Sequence, residues 1–181
     1  MNEIELKFRT NELSKIQSKL VDLGCTLSEE LNQKDTVFVT SLDKTANEEG
    51  NMFVRIREEN SKVEITLKKQ SSKIMQSKEI EFIVSDYDKA YDFLETLGLI
   101  KWVTVEKKRI TTKYKGFNIC MDEVKRLGQF IEIEIITTEN DKTDYYKKEI
   151  LKISEELGID SSNIVNDFYD SMIRRLEENV L

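Results

Sequence analysis

The feature that most constrains the fold is a strand pattern that recurs along the chain, with charged side chains on one face and apolar side chains on the other. The pattern is complete in the first nine residues, where the side chains alternate at a period of two. The charged face consists of Glu3, Glu5, Lys7 and Arg9, and the apolar face consists of Ile4, Leu6 and Phe8. The tripeptide Glu-Ile-Glu returns at residues 79–81 and 132–134, each time in a predicted strand followed by a helix that ends in Leu-Gly. One such strand is typical of any sheet with a solvated face. Its recurrence indicates that several strands share this two-faced character.

Strands of this kind leave two arrangements open. Charged residues make up 35% of the 181 residues and hydrophobic residues 39%, so the chain can form a core while carrying more charge than the ~25% of an average protein. If the amphipathic helices pack against the apolar faces from outside, about eight antiparallel strands closing on themselves would enclose a charged, water-filled tunnel. The alternative is an open sheet with helices on one face and its ionic face in water.

Hydrophobic periodicity and turn residues predict the order of the elements. After the first strand, the predicted strands are Asp35–Thr40, Met52–Glu58, Lys62–Lys69, Lys78–Ser85, Trp102–Lys115, Phe117–Asp122 and Gln129–Thr138. The predicted helices are one capped by Asn11 and ended by Gly24, one from Asp86 to Gly98, one from about Asp141 to Leu157, and one from about Ser162 to Glu178. Polar loops are predicted over residues 41–50 and 70–77. In the second helix, the apolar stripe consists of Ala90, Phe93, Leu94 and Leu97.

Composition excludes several classes of function. The net charge of −7 disfavours nucleic-acid binding through a basic surface. The chain has no His, which rules out Ser-His and Cys-His catalysis and His-ligated zinc. No apolar run approaches the ~20 residues of a membrane span, and a strand that begins at residue 3 leaves no room for a signal peptide. Because the two cysteines, Cys25 and Cys120, have no metal-binding spacing, free thiols and a cytoplasmic location are expected.

The ionic faces combine two sets of side chains that suit a metal-bound polyanion. The cationic set is Lys7, Arg55, Arg57, Lys68, Lys107 and Arg109, and the anionic set is Glu3, Glu5, Glu79, Glu81, Asp122, Glu132 and Glu134. Arg residues two positions apart on a strand present parallel guanidinium groups to phosphate oxygens, and carboxylates without His or Cys suit Mg²⁺ or Mn²⁺. Each pair alone is better explained as a solvated face or a cross-strand ion pair. Both sets together favour a nucleotide or polyphosphate site.

In its motifs the chain resembles the CYTH domains, also called triphosphate tunnel metalloenzymes. The start, Glu3-Ile4-Glu5-Leu6-Lys7, fits their Glu-x-Glu-x-Lys signature. The later motifs match in the family's order, and they are Arg55-Ile56-Arg57, Thr66-Leu67-Lys68, Lys107-Lys108-Arg109, Asp122 and Leu127–Glu134. The resemblance spans about residues 1–170 and is greatest to the class IV adenylyl cyclases. It departs near the C-terminus, where those cyclases tend to carry Ser-Tyr and this chain has Phe168-Tyr169.

The resemblance implies a fold and a set of site residues. The fold would be α+β, an eight-stranded antiparallel closed β-barrel (the tunnel) with helices packed outside, in a single domain over residues 1–181. The implied ligands of Mg²⁺ or Mn²⁺ are Glu3, Glu5, Asp122, Glu132 and Glu134, and the catalytic carboxylates among them are Glu5, Asp122 and Glu134. The implied triphosphate ligands are Lys7, Arg55, Arg57, Lys68, Lys107 and Arg109, and the second-tier candidates are Glu79, Glu81 and Arg9.

The implied activity is that of an adenylyl cyclase of class IV type, which converts ATP into cyclic AMP and pyrophosphate. One alternative is a triphosphatase that hydrolyses tripolyphosphate, thiamine triphosphate or a nucleoside triphosphate. Another is a non-catalytic module that binds polyphosphate or nucleotides, although simple anion capture needs no carboxylate cluster. No membrane or nucleic-acid partner is expected, while the choice of triphosphate and the oligomeric state, including a homodimer, stay open.

Overall fold

The computed structural model describes residues 2–41, 52–70, 77–138 and 142–178. In these residues the strands are β1 (Asn2–Thr10), β2 (Leu31–Val39), β3 (Met52–Glu59), β4 (Lys62–Gln70), β5 (Ser77–Val84), β6 (Ile100–Tyr114), β7 (Phe117–Val124) and β8 (Gly128–Thr137). The helices are α1 (Leu13–Asp22), α2 (Tyr87–Thr96), α3 (Thr143–Leu157) and α4 (Tyr169–Glu178), with a 3₁₀ turn at Ser161–Asn163. The two predicted polar loops fall almost entirely outside the described residues.

The strands form one antiparallel sheet in the order β1-β8-β7-β6-β2-β3-β4-β5. This confirms the predicted α+β fold and its eight antiparallel strands, whereas closure of the sheet into a barrel stays a prediction.

The chain packs as two compact units. The first unit is Met1–Leu31 with Lys108–Asn166, and the second unit is Asn32–Lys107 with Asp167–Leu181. The single domain over residues 1–181 also stays a prediction.

The core of the first unit lies between the apolar faces of three strands and two helices. Its members from β1, β7 and β8 include Ile4, Phe8, Ile119, Met121, Ile131 and Ile133, and those from α1 and α3 include Ile16, Leu20, Ile150 and Ile153. Fully burying each such side chain stabilises the fold by roughly 1.5–3 kcal/mol. The strand residues are those whose alternation predicted an apolar face, so the covering of that face by helices is confirmed in this unit.

The core of the second unit forms where α2 packs on β3 and β4. Ala90 and Leu94 of the predicted helix stripe are buried there, but Phe93 and Leu97 are 59% and 62% exposed. The flank of α2 that carries its tyrosines faces β2, because the Tyr87 hydroxyl lies 2.8 Å from Thr36 Oγ1. This orientation leaves the opposite flank, with Phe93 and Leu97, uncovered in the described residues.

The last helix differs from its prediction, because α4 begins at Tyr169 and not near Ser162. The Asp160 carboxylate accepts from the Ser162 N–H at 2.7 Å and caps a single 3₁₀ turn. The chain then runs extended, with Ile164 in a β-bridge to Phe8 and the Val165 N–H donating to the Lys7 carbonyl at 2.8 Å. β-branched residues favour this conformation, and pairing the edge of β1 satisfies a backbone group that a longer helix would leave unpaired.

The first helix starts one residue later than predicted. Its N-cap is Glu12, which makes no side-chain capping bond, and Asn11 is not the cap. The Glu12 N–H donates to Thr10 Oγ1 at 3.0 Å. The hydroxyl at the end of β1 therefore satisfies a backbone N–H at the start of the helix. Gly24 and Gly158 follow the ends of α1 and α3 with φ of 84° and 82°, the left-handed conformation that favours glycine after a helix end.

Candidate active site

Three carboxylates meet where β1 pairs with β8. The register places Glu5 directly opposite Glu134, and Glu3 lies two residues before Glu5 on the same face of β1. One carboxylate oxygen from each residue lies within 4.8 Å of the other two. The amide nitrogen of Asn118, on β7, donates a hydrogen bond to Glu134 Oε1 at 3.2 Å. Since Glu3 is exposed and the other two carboxylates are half-buried, this carboxylate cluster is accessible to solvent.

The composition of the carboxylate cluster fits a divalent cation. Its three donors are hard carboxylate oxygens, which Mg²⁺ and Mn²⁺ prefer. Like charges directly opposite each other on paired strands destabilise a sheet, so a cation bound between Glu5 and Glu134 would replace repulsion by attraction. Three of the five predicted metal ligands are therefore brought together.

The other two predicted metal ligands, Asp122 and Glu132, lie in an ion-pair network with Lys7 and Arg109. Arg109 Nε donates to Asp122 Oδ1 at 2.6 Å, and Arg109 Nη2 donates to both carboxylates. Glu132 Oε1 also lies 3.3 Å from Lys7 Nζ, directly across the β1–β8 pairing. Burial lowers the pKa of Arg109, but its hydrogen bonds to Asp122 and the charges of Asp122 and Glu132 outweigh it and raise that pKa well above its ordinary value. In the structure, Asp122 and Glu132 therefore form ion pairs with these cations.

Cys120 lies on the same face of β7 as Asp122, opposite Glu132 on β8. Burial raises the pKa of the Cys120 thiol, the neighbouring carboxylates raise it further, and Arg109 lowers it, for a resulting value of about 12. The thiol is therefore neutral at physiological pH and is neither an activated nucleophile nor a thiolate ligand.

In the second unit, the predicted phosphate ligand Arg57 forms a bidentate ion pair with Asp35. Arg57 Nε lies 2.6 Å from Asp35 Oδ1, and Nη2 lies 2.7 Å from Oδ2. Burial raises the pKa of Asp35, but the hydrogen bonds and charge of Arg57, together with the charges of Lys107 and Arg55, lower it from 3.8 to about 2. Sequence reasoning missed Asp35. Its position at the start of a predicted strand was visible, but only the register shows that it faces Arg57.

The other predicted phosphate ligands of the second unit have different surroundings. Arg55 Nη2 donates to Thr66 Oγ1 on β4 at 3.1 Å. Lys107 is buried, and its Nζ lies 5.2 Å from the ring centroid of Tyr169 at the start of α4, within range of a cation–π interaction. Lys68 is half-buried on β4. All three lie on strands, where the backbone fixes the direction of each side chain.

The second-tier candidates are arranged differently. Glu81 is exposed on β5, and the side chain of Glu79 lies outside the described part of the chain. Arg9 Nη1 donates to the Leu127 carbonyl at 2.6 Å, and its guanidinium carbon lies 4.6 Å from the ring centroid of Phe130. These contacts tie Arg9 to the turn before β8. The roles of all three residues stay predictions.

Comparison with known proteins gives a match to one family over most of the chain. The family profile described as CYTH domain matches residues 1–169. A candidate adenylate cyclase of Methanocaldococcus jannaschii is 26% identical over 171 residues, which cover 93% of this chain and 97% of that protein. The adenylate cyclase CyaB of Aeromonas hydrophila is 22% identical over 171 residues, which cover 94% of this chain and 87% of that protein.

The fold also matches solved structures. HpAC1 of Hippeastrum, described as a candidate adenylyl cyclase with a dominant triphosphatase activity, has a TM-score of 0.68 to this chain at 18% identity. The match covers 98% of this chain and 96% of HpAC1, and at this identity it concerns the fold alone. None of the described helices is long and apolar enough to cross a bilayer.

Proposed function

This chain belongs to the CYTH domain family, and we propose that it is a metal-dependent adenylyl cyclase that converts ATP into cyclic AMP and pyrophosphate. The observation that carries the proposal is the carboxylate cluster of Glu3, Glu5 and Glu134. In the same unit, the cations Lys7 and Arg109 contact Glu132, two positions before Glu134 on β8. The cyclase names of two relatives that match along nearly the whole chain support the choice of reaction.

In this proposal Glu3, Glu5 and Glu134 hold Mg²⁺ or Mn²⁺. When bound, such an ion supplies Lewis-acid stabilisation of charge on the phosphate chain and makes an attacking hydroxyl easier to deprotonate. Asn118 fixes one carboxylate of the cluster through its hydrogen bond to Glu134. A ligand carboxylate that is already oriented loses less conformational entropy on binding an ion.

The cations would neutralise the phosphate oxygens. Lys7 and Arg109 have this role in the first unit, and the proposed phosphate ligands of the second unit are Arg55, Arg57, Lys68 and Lys107. Preorganised cations stabilise the charge that develops on a pyrophosphate leaving group without reorganising during the reaction. Asp122 and Glu132 would orient Arg109 and Lys7, because their oxygens are engaged by those cations. This role differs from the metal ligation that the family resemblance implied for them.

Hydrolysis is the second candidate function. The same cluster and cations would serve a reaction in which water, and not the ribose 3′-hydroxyl, attacks a phosphorus atom. The observation in its favour is that HpAC1, a protein of this fold, is described as having a dominant triphosphatase activity. A third candidate, a non-catalytic binding module, requires no carboxylate cluster.

One assay separates the three functions. The protein is treated with EDTA, supplied with Mn²⁺, and incubated separately with ATP, thiamine triphosphate and tripolyphosphate. We expect cyclic AMP and pyrophosphate from ATP in equal amounts. Orthophosphate without cyclic AMP would show that the protein is a triphosphatase and not a cyclase. Binding of tripolyphosphate without any product would support the non-catalytic binding module.

A further inference from the structure

Asp35 is a buried carboxylate that neither the motifs of the chain nor the family resemblance singled out. We propose that Asp35 is a positioning residue that holds the Arg57 guanidinium in one orientation for binding a phosphate group. The proposal rests on the proposed function, because it assigns to Arg57 a phosphate of a triphosphate ligand.

The geometry of the pair fixes the plane of the guanidinium. Asp35 on β2 and Arg57 on β3 are direct partners in the antiparallel register. Their two parallel bonds of 2.6 and 2.7 Å engage Nε and Nη2, so the guanidinium cannot turn about its last bonds without breaking both. In this proposal a phosphate binds the N–H groups of Arg57 that Asp35 does not engage, on Nη1 and Nη2.

The burial of the pair indicates more than a link between strands. The Arg57 and Asp35 side chains are 20% and 10% exposed, whereas the next ion pair between these two strands, Lys34 with Glu58, is 44% and 37% exposed. That pair joins neighbouring positions on the opposite face of β2 and β3. The exposed pair of Lys34 and Glu58 is therefore enough to link the two strands. Burying the charge of Asp35 costs desolvation free energy, which only a well-placed partner such as Arg57 offsets.

The second arginine of the motif provides a contrast. Arg55 Nη2 donates its described side-chain hydrogen bond to Thr66 Oγ1, a neutral hydroxyl acceptor, at 3.1 Å. Asp35 also lies in the field of Arg55 and Lys107, so its negative charge reduces the repulsion among the three cations. Replacing it with a neutral isostere should free the Arg57 head group and leave that repulsion uncompensated.

The test measures the affinity for tripolyphosphate and its dependence on Arg57. Dissociation constants are determined by calorimetry for the wild-type protein, Asp35→Asn, Arg57→Gln and the double variant, with Glu58→Gln as the matched control on the other face. We expect Asp35→Asn to weaken binding by up to about tenfold, because an arginine that is no longer held in one orientation must be ordered when the anion binds. In the Arg57→Gln background the same substitution should change the affinity by less than about twofold, because its partner is already gone.

Several outcomes would overturn the inference. An equal loss with and without Arg57, or an equal loss in Glu58→Gln, would show a general structural effect. Arg57→Lys keeps Asp35 and the charge but cannot form two parallel bonds, so it tests the orientation even if Asp35→Asn fails to fold, and unchanged affinity in Arg57→Lys would refute the proposal. A wild-type protein that binds no tripolyphosphate would overturn the proposed function itself, whereas normal binding by Asp35→Asn would overturn only this inference.

Discussion

Glu5 and Glu134 lie directly opposite each other across the antiparallel pairing of β1 and β8, and the carboxylate of Glu3 completes their cluster. Two carboxylates at facing positions repel each other, and a cation bound between them would replace this repulsion by attraction. This arrangement distinguishes the candidate site from a solvated sheet face, on which facing charges are usually of opposite sign.

The first prediction concerns Mn²⁺ and Glu134→Gln. Mn²⁺ should raise the melting temperature of the wild-type protein, because a ligand that binds only the folded state stabilises it. Glu134→Gln should remove this rise while leaving the metal-free melting temperature unchanged or higher, since one like charge is gone. Thermal unfolding monitored by circular dichroism measures both, and Glu123→Gln, an exposed carboxylate on β7, should respond to Mn²⁺ like the wild type. An undiminished response in Glu134→Gln would contradict the cluster as a metal site.

The second prediction concerns the buried pair of Asp122 and Arg109. Asp122→Ala leaves the guanidinium with one fewer of its buried partners, and removing one member of such a pair typically costs about 3–5 kcal/mol in the free energy of unfolding. Urea denaturation measures this loss. Glu156→Gln, which breaks the exposed pair with Lys115 in the same unit, should leave the denaturation midpoint in place. A similar small change in both variants would show that the buried network contributes no more than a surface pair.

The third prediction concerns the acid stability that Asp35 provides. Its pKa is lowered from 3.8 to about 2 in the folded protein. A lowered pKa stabilises the fold at pH values above the unfolded pKa, and the contribution is lost as the pH falls toward 2. Asp35→Asn should therefore be less stable than the wild type by about 2 kcal/mol at neutral pH, and the difference should shrink between pH 4 and pH 2. A difference that stays constant over this range would contradict the origin of the effect in the ionised carboxylate.

The fourth prediction concerns how Arg57 recognises a chain of phosphates. Arg57→Ala should weaken the binding of tripolyphosphate more than that of orthophosphate, because only the longer ligand can engage several cations at once. Competition calorimetry gives, for each anion, the ratio of the dissociation constant of Arg57→Ala to that of the wild type. Lys108→Ala, which removes an exposed lysine, serves as the control for loss of one positive charge. Equal weakening for both anions in Arg57→Ala would mean that this arginine acts only as a general charge.

The strand content and the apolar faces could be predicted because alternation at period two is local information. Phe8 and Ile131 are buried where the alternation placed them. The register was not local information. It decides that Glu5 faces Glu134, that Glu132 faces Lys7, and that Asp35 faces Arg57, and no spacing within one strand contains those relations.

The errors at the helices have a similar origin. The stripe of α2 was predicted as a whole, but the contact of Tyr87 with Thr36 turns the helix so that Phe93 remains exposed. The last helix was predicted too long because residues 162–168 have helical spacing of apolar side chains, while the edge of β1 offers Val165 a backbone partner. Tertiary contacts decided both cases over local preference.

The most direct test of the central claim is the rate of product formation from ATP as a function of Mn²⁺ concentration, measured for the wild-type protein and for Glu134→Gln. The account predicts no product after EDTA treatment, a rate that saturates with Mn²⁺ in the wild type, and a loss of more than about 100-fold in the variant at every Mn²⁺ concentration. A full rate in the presence of EDTA, or a variant that matches the wild type, would contradict it.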